Sequence, residues 1–495
     1  MKKYLWILIG FILLKFSIHA VGNFNYGYQR DELLHLAVGQ HLDWGFMEFP
    51  PFIAVLGKFA HIFFDDNLWL TRLFPTLSGI AILVFCVLIA KDLGGKTAAI
   101  FLAGICVLSF LPFYRNHTLF QPVAFEQLFW TVGFYVLVRM FNTGNEKLLM
   151  LLGVVAGFAI LNKYTSLVWI FSIAAGLLFF DRARVFKSRW IYIGGIIAGV
   201  MILPNIWWQY GHGFPLLRHL EALKNSQLEE IGYAEFLLDQ TGNLFTFIVS
   251  VIGLYGFLFN EALKKYRVIG IAILVLFAVL WMQMAKGYYF FGVYPMLFAA
   301  GAVMTERIFS RKPIIVYAYG IVIFFISTAF IPGMTPVLPI DVFVDYTNKP
   351  IVNGRVALTS DYADMFGWTE QVALIDSVYR NLSTEEKAKT TIVASNYGEA
   401  GAVMIVGKKY QLPHPICTSG SFWLWGPGNA ESGTFICLGF DDETINRIFG
   451  SVQLIKIIKH RYAVDEENNI SLLLCRDPKI NLVEEWPAFE RYIFD

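Results

Sequence analysis

Charged side chains are scarce in this chain. Asp, Glu, Lys and Arg make up only 16% of its 495 residues. Several runs of roughly 20 residues carry almost no charge, which is the length that a helix needs to cross a bilayer. Soluble globular proteins have more charge than this, so the scarcity excludes that class. The apolar runs show no alternation of apolar and polar residues, and they therefore predict membrane-spanning helices rather than barrel strands.

Common ligand-binding motifs are also missing. The chain contains no Walker motif and no Gly-x-Gly-x-x-Gly pattern, so nothing indicates a nucleotide cofactor, and a net charge of +1 gives no indication of a nucleic-acid partner. Its five cysteines form no zinc pattern. Cys86 and Cys106 lie in apolar runs, where we expect core residues. One disulfide could form in the polar C-terminal third, but the spacing selects no pair among Cys417, Cys437 and Cys475.

Eleven apolar segments are predicted to span the membrane. They lie near residues 4–21, 69–90, 97–113, 118–138, 148–162, 165–180, 191–209, 242–260, 268–285, 289–304 and 314–331. The first follows a basic N-terminus and extends to about residue 21 without a good cleavage site. We interpret it as a retained helix rather than as a signal peptide.

The distribution of basic residues predicts the orientation. With a cytoplasmic N-terminus, the inside segments hold about twice as many Lys and Arg as the outside segments, among them Arg182 and Arg184. This parity predicts that the loops at 22–68 and 210–241, and everything after residue 331, lie outside the cytoplasm. The protein is then a multi-pass protein of the inner (plasma) membrane, with a periplasmic or extracellular C-terminal region.

The composition changes after Pro332. A linker rich in Pro and Asp, MTPVLPIDVF, leads into a polar region in which strand and helix patterns alternate. TTIVAS, TFICLGF, SVQLIKIIKH and ISLLLCR are predicted strands, and NYGEAGAVMIVG and DDETINRIFG are predicted to contain helices. The sequence therefore predicts two domains, a transmembrane domain at 1–331 and a soluble α/β domain at 332–495.

The first outside loop concentrates charge beside the membrane. Residues 28–51, YQRDELLHLAVGQHLDWGFMEFPP, contain four acidic side chains and two histidines. Unpaired charges this close to a bilayer cost several kcal/mol, so we expect proton transfer or metal binding here. A short helix from Asp31 to Leu42 would place Asp31 and His35 one turn apart on one face. A second short helix, from the Pro pair to Phe64, would frame a cavity at the membrane surface with it.

These motifs resemble those of a known family. The RDE triplet and MEFPP in the first outside loop resemble the C-type glycosyltransferases of family 39, the group of protein O-mannosyltransferases and lipid A aminoarabinose transferases. LPNIWWQYGHGFPLLRH and KGYYFFGVYPMLFAAGA are similar to later motifs of bacterial members, and SNYGEAGAVMIVGKKYQLP and FWLWGPGN to the soluble tail of one subgroup. The resemblance implies a GT-C fold and transfer of a sugar from a polyprenyl-phosphate-linked monosaccharide to a lipid, glycan or protein.

The resemblance also implies roles in the first loop. Asp31 would be the general base that removes a proton from the acceptor, although Asp is also a common helix cap. Glu32 would assist it or hold a loop partner. Glu48, with His35 or His41, would bind a divalent cation such as Mg²⁺, Mn²⁺ or Zn²⁺, which would neutralise the donor phosphate. The aminoarabinose transferases have Lys between this acid and the prolines, where this chain has Phe49, and this departure argues against the same substrate and leaves open how the phosphate is held.

The leaving phosphate requires positive charge in a water-poor site. The candidates on the outside face are Lys163, Lys286, Arg72, Arg115 and Arg218, although such residues at span ends often anchor the helix at the interface. Candidates for the substrate pocket are polar residues near the start of the fourth span and aromatic or His residues at later span ends: Gln121, Glu126, Trp207, Trp208, His212, Tyr288 and Tyr289. The aromatic residues also suit an interfacial belt.

Two other functions fit a protein of this kind. A flippase for the lipid-linked sugar would carry ionisable residues at mid-membrane and repeated halves, whereas here the charges gather at one surface and no repeat is evident. A polymerase or ligase for whole oligosaccharides would share the cavity and differ in donor length.

Overall fold

The computed structural model describes residues 2–180, 187–225, 232–241, 244–428, 430 and 433–492. Arg182 and Arg184, which were counted in the prediction of orientation, lie outside the described residues, as do the first two residues of the span predicted at 242–260.

A bundle of apolar helices forms the first two thirds of the chain. Its helices are α1 (Lys2–Gly22), α2 (Arg30–Gln40), α3 (Phe52–Phe64), α4 (Leu68–Thr71), α5 (Leu73–Asp92), α6 (Thr97–Ser109), α7 (Pro112–Asn116), α8 (Pro122–Thr143), α9 (Leu148–Asn162), α10 (Ser166–Phe180), α11 (Arg189–Gly211), α12 (Pro215–Leu223), α13 (Tyr233–Gln240), α14 (Leu244–Phe259), α15 (Arg267–Met282), α16 (Tyr294–Ile308) and α17 (Ile314–Thr328). The 3₁₀ helices Glu261–Tyr266 and Gly287–Val293 precede α15 and α16.

Each predicted span corresponds to one of these helices, which confirms a helical polytopic fold. Within the described residues, six helical segments are long and apolar enough to cross a membrane, or seven if α13 and α14 together form one bent span. The helices α6, α9, α10 and α17 are apolar but have only 13 to 15 residues. A helix of that length reaches about 20 Å, short of the roughly 30 Å of a bilayer core.

Glycines let neighbouring spans approach closely. A Cβ on Gly153 of α9 would lie 2.2 Å from the carbonyl oxygen of Gly194 in α11, and a Cβ on Gly301 of α16 would lie 1.9 Å from the carbonyl oxygen of Val249 in α14. Small residues at such contacts favour helix association in lipid, where no hydrophobic force draws helices together. These two contacts therefore help to hold the bundle together.

The two short helices predicted in the first loop are both present. Gln29 caps α2 in a capping box with Glu32, and α3 begins after the Pro pair. The helices cross at Gly39 and Gly57, where a Cβ on Gly39 would lie 2.5 Å from the backbone of Gly57. Since α3 has 13 residues and exposes Phe63, it suits the membrane interface rather than a span.

The C-terminal region contains a small α/β unit, as the sequence predicted. Its strands are β1 (Ile351–Val352), β2 (Arg355–Val356), β3 (Thr390–Ala394), β4 (Pro415–Cys417), β5 (Thr434–Leu438), β6 (Phe449–Ile458) and β7 (Ile470–Pro478), and its helices are α18 (Ile340–Thr347), α19 (Ser360–Ala363), α20 (Trp368–Asn381), α21 (Thr384–Ala388), α22 (Tyr397–Ile405), α23 (Ser421–Leu424), α24 (Asp442–Ile448) and α25 (Leu482–Glu485). In its described part, a mixed five-stranded sheet has the order β4-β3-β5-β7-β6, in which β3, β4 and β5 are parallel.

This C-terminal unit and the first loop share one hydrophobic core. Leu33 and Leu36 of α2 lie in the same buried cluster as Val403 of α22 and Ile436 of β5. The division of the chain at residue 331 therefore stays a prediction, because this core joins the two predicted domains.

Each of the five cysteines lies in the described residues, and each is a free, buried thiol. Cys86 and Cys106 belong to the core of the helical bundle. Cys437 and Cys475 lie on the adjacent strands β5 and β7. The structure thus contains no disulfide among them.

Candidate active site

A cavity of about 480 Å³ lies between the first loop, several span ends and the C-terminal unit. Its lining side chains come from α2, from α12, from the 3₁₀ helix before α16 and from the C-terminal unit. These elements are far apart in the sequence. Its ionisable lining residues include Arg30, Asp31, His35, Glu48, Arg115, Lys163, His219, Lys286, Tyr288, Tyr289, Asp361, Asp364 and Tyr397. The structure thus places many of the predicted site residues around one space.

Asp31 faces this cavity from the first turn of α2. The helix cap that Asp31 could have supplied is supplied instead by Gln29, whose side chain accepts a hydrogen bond from the Asp31 backbone N–H. The Asp31 carboxylate accepts hydrogen bonds from the Gln121 amide at 3.0 Å and from the Tyr397 hydroxyl at 2.9 Å. Asp31 is therefore held in place and open to the cavity, as a general base must be.

Glu32 lies on a different side of the same helix. Its carboxylate pairs with the Arg72 guanidinium at 3.0 and 2.7 Å and accepts the Phe120 backbone N–H at 2.9 Å. Glu32 and Arg72 are fully buried, and neither lines the cavity. A chemical role for Glu32 and phosphate contact by Arg72 stay predictions, and the geometry favours a structural ion pair instead.

Glu48 lies at the edge of the cavity, just before Phe49. Its carboxylate accepts a hydrogen bond from the Ser421 backbone N–H at 2.8 Å and another from the Ser421 hydroxyl. Burial raises the pKa of Glu48 in spite of these two donors. Phe49 contacts the His35 ring edge-on, with ring centroids 5.0 Å apart, so the position that holds Lys in the aminoarabinose transferases contributes an apolar wall.

The two histidines of the first loop have separate environments. His35 lines the cavity and pairs through Nδ1 with the Phe120 carbonyl oxygen at 2.9 Å, and burial lowers its pKa. His41 stacks on Trp425 at 4.0 Å outside the cavity, and burial lowers its pKa to about 4. His41 and Glu48 therefore do not face the same space.

A divalent cation stays a prediction. Across the described ranges, no group of three or more His, Cys, Asp and Glu side chains is arranged to hold a metal ion. Glu48, His35 and His219 line the same cavity.

Lys163 lies where α9 gives way to α10, and its ammonium group faces the cavity. It pairs with Glu126 of α8 at 3.3 Å and lies 4.1 Å above the ring centre of Tyr289 and 4.9 Å from that of Tyr288. Thr165 also donates to the buried Glu126. Glu126 itself does not line the cavity. Its connection to the cavity is the ion pair with Lys163.

Two further cations line the cavity. Arg115 forms a two-pronged pair with Asp361 at 2.7 and 2.6 Å, and it also donates to Gln121 at 3.3 Å. Gln121 therefore links Arg115 to Asp31, although it does not itself line the cavity. Lys286 directly precedes the 3₁₀ helix that carries Tyr288 and Tyr289.

Four further predicted residues, at the end of α11 and in α12, also lie away from the cavity. Trp207 is exposed on the outer face of α11, as expected for an interfacial residue. Trp208 donates to Asp43 at 2.8 Å and stacks on His212 at 4.1 Å, which fastens the first loop to the end of α11. Arg218 contacts Tyr492 near the end of the chain. Substrate or phosphate contact by these residues stays a prediction.

No site residue was predicted after residue 331, yet the C-terminal unit supplies several side chains to the cavity. Asp361, Asp364 and Tyr397 line the cavity, and Ser421 holds Glu48. Burial raises the pKa of Asp364 to about 7, against the opposing effect of Arg30. The available signal was the motif SNYGEAGA, which the resemblance included but which predicted no chemistry by itself.

The fold and the cavity define a class. A polytopic helical body, short interfacial helices in the first loop and an α/β unit over a polar cavity are the architecture of a C-type glycosyltransferase, and comparisons with known proteins confirm this fold. A profile of the family described as "Dolichyl-phosphate-mannose-protein mannosyltransferase" matches residues 48–208.

Two solved glycosyltransferase structures have a similar fold. ArnT from Cupriavidus metallidurans, solved with bound undecaprenyl phosphate, has a TM-score of 0.60 to this chain, with 12% identity over 96% of this chain and 98% of ArnT. The mycobacterial arabinofuranosyltransferase AftD has a TM-score of 0.55, with 11% identity over 97% of this chain and 40% of AftD. At these identities the likeness concerns the fold alone.

One curated relative is similar in sequence. The lipid A galacturonosyltransferase RgtD of Rhizobium johnstonii is 27% identical over 201 residues, which is 39% of this chain and 41% of RgtD. The matched segment is thus less than half of either protein. The resemblance to C-type glycosyltransferases that the motifs indicated is confirmed by these matches together.

Proposed function

We propose that this protein is a membrane glycosyltransferase that uses a polyprenyl-phosphate-linked monosaccharide as donor and glycosylates a lipid, glycan or protein on the extracytoplasmic side. One observation carries the proposal: the Asp31 carboxylate and the cations Arg115, Lys163 and Lys286 line a single cavity. A sugar transfer from a phosphate needs a base for the acceptor and positive charge for the leaving group.

The proposed reaction is a direct displacement. Asp31 takes the proton from an acceptor hydroxyl while that oxygen forms a bond to the anomeric carbon. The bond between the anomeric carbon and the phosphate oxygen breaks, and its electron pair leaves with the polyprenyl phosphate. Displacement from the opposite face inverts the anomeric centre.

Lys163 and Lys286 are the proposed phosphate ligands. Both line the cavity beside Tyr288 and Tyr289, where cations in reduced contact with water stabilise a developing negative charge most effectively. Arg115 is paired with Asp361 and Lys163 with Glu126, so ion pairing does not separate these cations. We assign the leaving group to the two lysines because Lys163 lies over the ring of Tyr289 and Lys286 directly precedes the 3₁₀ helix that carries this tyrosine.

A second cavity suits the lipid tail of the donor. This space, of about 420 Å³, lies between the end of the first loop, α3 and α9, and its apolar lining residues include Leu42, Trp44, Phe52, Val55, Phe158 and Leu161. Isoprenyl units need an apolar surface next to a polar site for the phosphate. Undecaprenyl phosphate bound to the similarly folded ArnT supports a donor of this type.

The function is tested with the purified protein, radiolabelled polyprenyl-phosphate sugars and a membrane extract that supplies acceptors. We expect label to move from the donor to a new product. Asp31→Asn should lower that transfer roughly 10²- to 10⁴-fold, because the amide cannot accept the acceptor proton.

The matched control is Asp376→Asn, since Asp376 pairs with Arg380 of the same helix, α20, and lines neither of the two cavities. Transfer at the wild-type rate by Asp31→Asn would refute the assignment of the base. Movement of donor across vesicle membranes without any labelled product would instead indicate a flippase, and transfer of whole oligosaccharides would indicate a ligase.

A further inference from the structure

The C-terminal unit brings one hydroxyl directly to the proposed base. Tyr397 is the first residue of α22, and the helix begins there because the Asn396 side chain accepts the backbone N–H groups of Gly398 and Glu399 at 2.9 and 3.0 Å. An Asn cap of this kind fixes where a helix starts. The cap therefore determines the position from which the Tyr397 side chain extends.

Close contact between α22 and α2 brings the Tyr397 hydroxyl within reach of Asp31. A Cβ on Gly398 would lie 2.8 Å from the Arg30 side chain, and a Cβ on Gly401 would lie 2.8 Å from Cβ of Leu33. Larger residues at these two positions would push the helices apart. The glycines thus allow the 2.9 Å hydrogen bond from the Tyr397 hydroxyl to Asp31 Oδ1.

The two oxygens of Asp31 have different partners. Oδ1 accepts from Tyr397 and Oδ2 accepts from Gln121. A carboxylate oxygen has more than one acceptor site, so each oxygen can still accept a proton from a substrate. Donors from two directions fix the plane of the carboxylate.

We propose that Tyr397 is a positioning residue: its hydroxyl orients the Asp31 carboxylate, so that the C-terminal unit completes the active site. This inference rests on the proposed function, in which Asp31 is the base. Tyr397 does not exchange a proton with the acceptor in this scheme. The C-terminal unit is then part of the catalytic machinery of the helical body rather than an accessory to it.

Other charged groups line the same cavity. They are Arg30 and His35 on α2, Arg115 on α7, and Asp361 and Asp364 of the C-terminal unit. Because a Tyr397→Phe variant leaves all of them in place, a change in kcat reports the lost hydroxyl.

The test compares Tyr397→Phe with Tyr362→Phe. Tyr362 is also a buried tyrosine of the C-terminal unit, but its hydroxyl donates to the Pro332 carbonyl oxygen at 2.6 Å, away from the cavity. We expect Tyr397→Phe to lower kcat roughly 10- to 100-fold with the donor KM unchanged, since a misplaced base slows the chemical step without weakening donor binding.

Three results would count against this inference in different ways. A wild-type kcat in Tyr397→Phe would refute it while leaving the proposed function intact. An equal loss in Tyr362→Phe would show a general structural effect and would also refute it. Absence of transfer from any polyprenyl-phosphate donor by the wild-type protein would refute the proposed function, and the positioning role with it.

A second measurement tests the contact without relying on activity. Thermal unfolding in detergent is followed for Asp31→Ala, Tyr397→Phe and the double variant. If the hydrogen bond exists, the shift in unfolding temperature of the double variant will differ from the sum of the two single shifts. Additive shifts would show that the two side chains do not interact.

Discussion

Asp31 and Glu32 are neighbours in the sequence but have opposite environments. Successive side chains on an α-helix point about 100° apart, so Asp31 faces the cavity while Glu32 faces Arg72 in the interior. The sequence indicated proton transfer or metal binding by the acidic residues of this loop. It could not separate the two roles, because the partner that buries Glu32 is 40 positions away.

This difference predicts different consequences for two similar substitutions. Glu32→Gln removes the charge that compensates buried Arg72, and an uncompensated buried charge costs about 3–5 kcal/mol. We therefore expect a clear fall in the unfolding temperature of purified Glu32→Gln, measured by differential scanning fluorimetry in detergent. Asp31→Asn is the matched control and should unfold near the wild-type temperature. A Glu32→Gln variant as stable as the wild type would mean that the ion pair contributes nothing to the fold.

At the scale of elements, local patterns predicted most of the helices and strands. The apolar runs, the Pro pair before Phe52 and the Asp-rich start of α24 each act within a few residues. The site depends instead on contacts that no local pattern contains. Tyr397 and Asp31 are 366 positions apart, and Ser421 and Glu48 are 373 positions apart. The contribution of the C-terminal unit to the cavity therefore could not be predicted from periodicity or composition.

The close crossing of α2 and α3 sets the position of the first loop. Gly39→Leu should separate the two helices, because even a Cβ at Gly39 would lie 2.5 Å from the Gly57 backbone. We expect Gly39→Leu to lower transfer at least about tenfold, since small displacements of a base are costly. Gly199→Leu on α11 is the control, as a Cβ there meets nothing within 4 Å. Equal transfer by both variants would show that the crossing does not position Asp31.

At the scale of the whole molecule, the first loop and the C-terminal unit must lie on the same side of the membrane. They share a hydrophobic core and bury the Arg30 pairs with Asp364 and Glu467 between them. The contacts do not identify the side, since either orientation would preserve them. That information lies only in the basic residues of the connecting segments, which are more frequent on the cytoplasmic side of membrane proteins.

The orientation is tested by fusing a reporter enzyme that is active only outside the cytoplasm. A fusion after Tyr346, within α18, should be active, because the predicted parity of eleven spans places everything after residue 331 outside. A fusion after Asn145, between α8 and α9, should be inactive, because one membrane span, α8, separates this position from the outside loop before α8. The opposite pattern would put the cavity in the cytoplasm. It would also exclude the proposed extracytoplasmic acceptor, because Asp31 lies on the same side as residue 346.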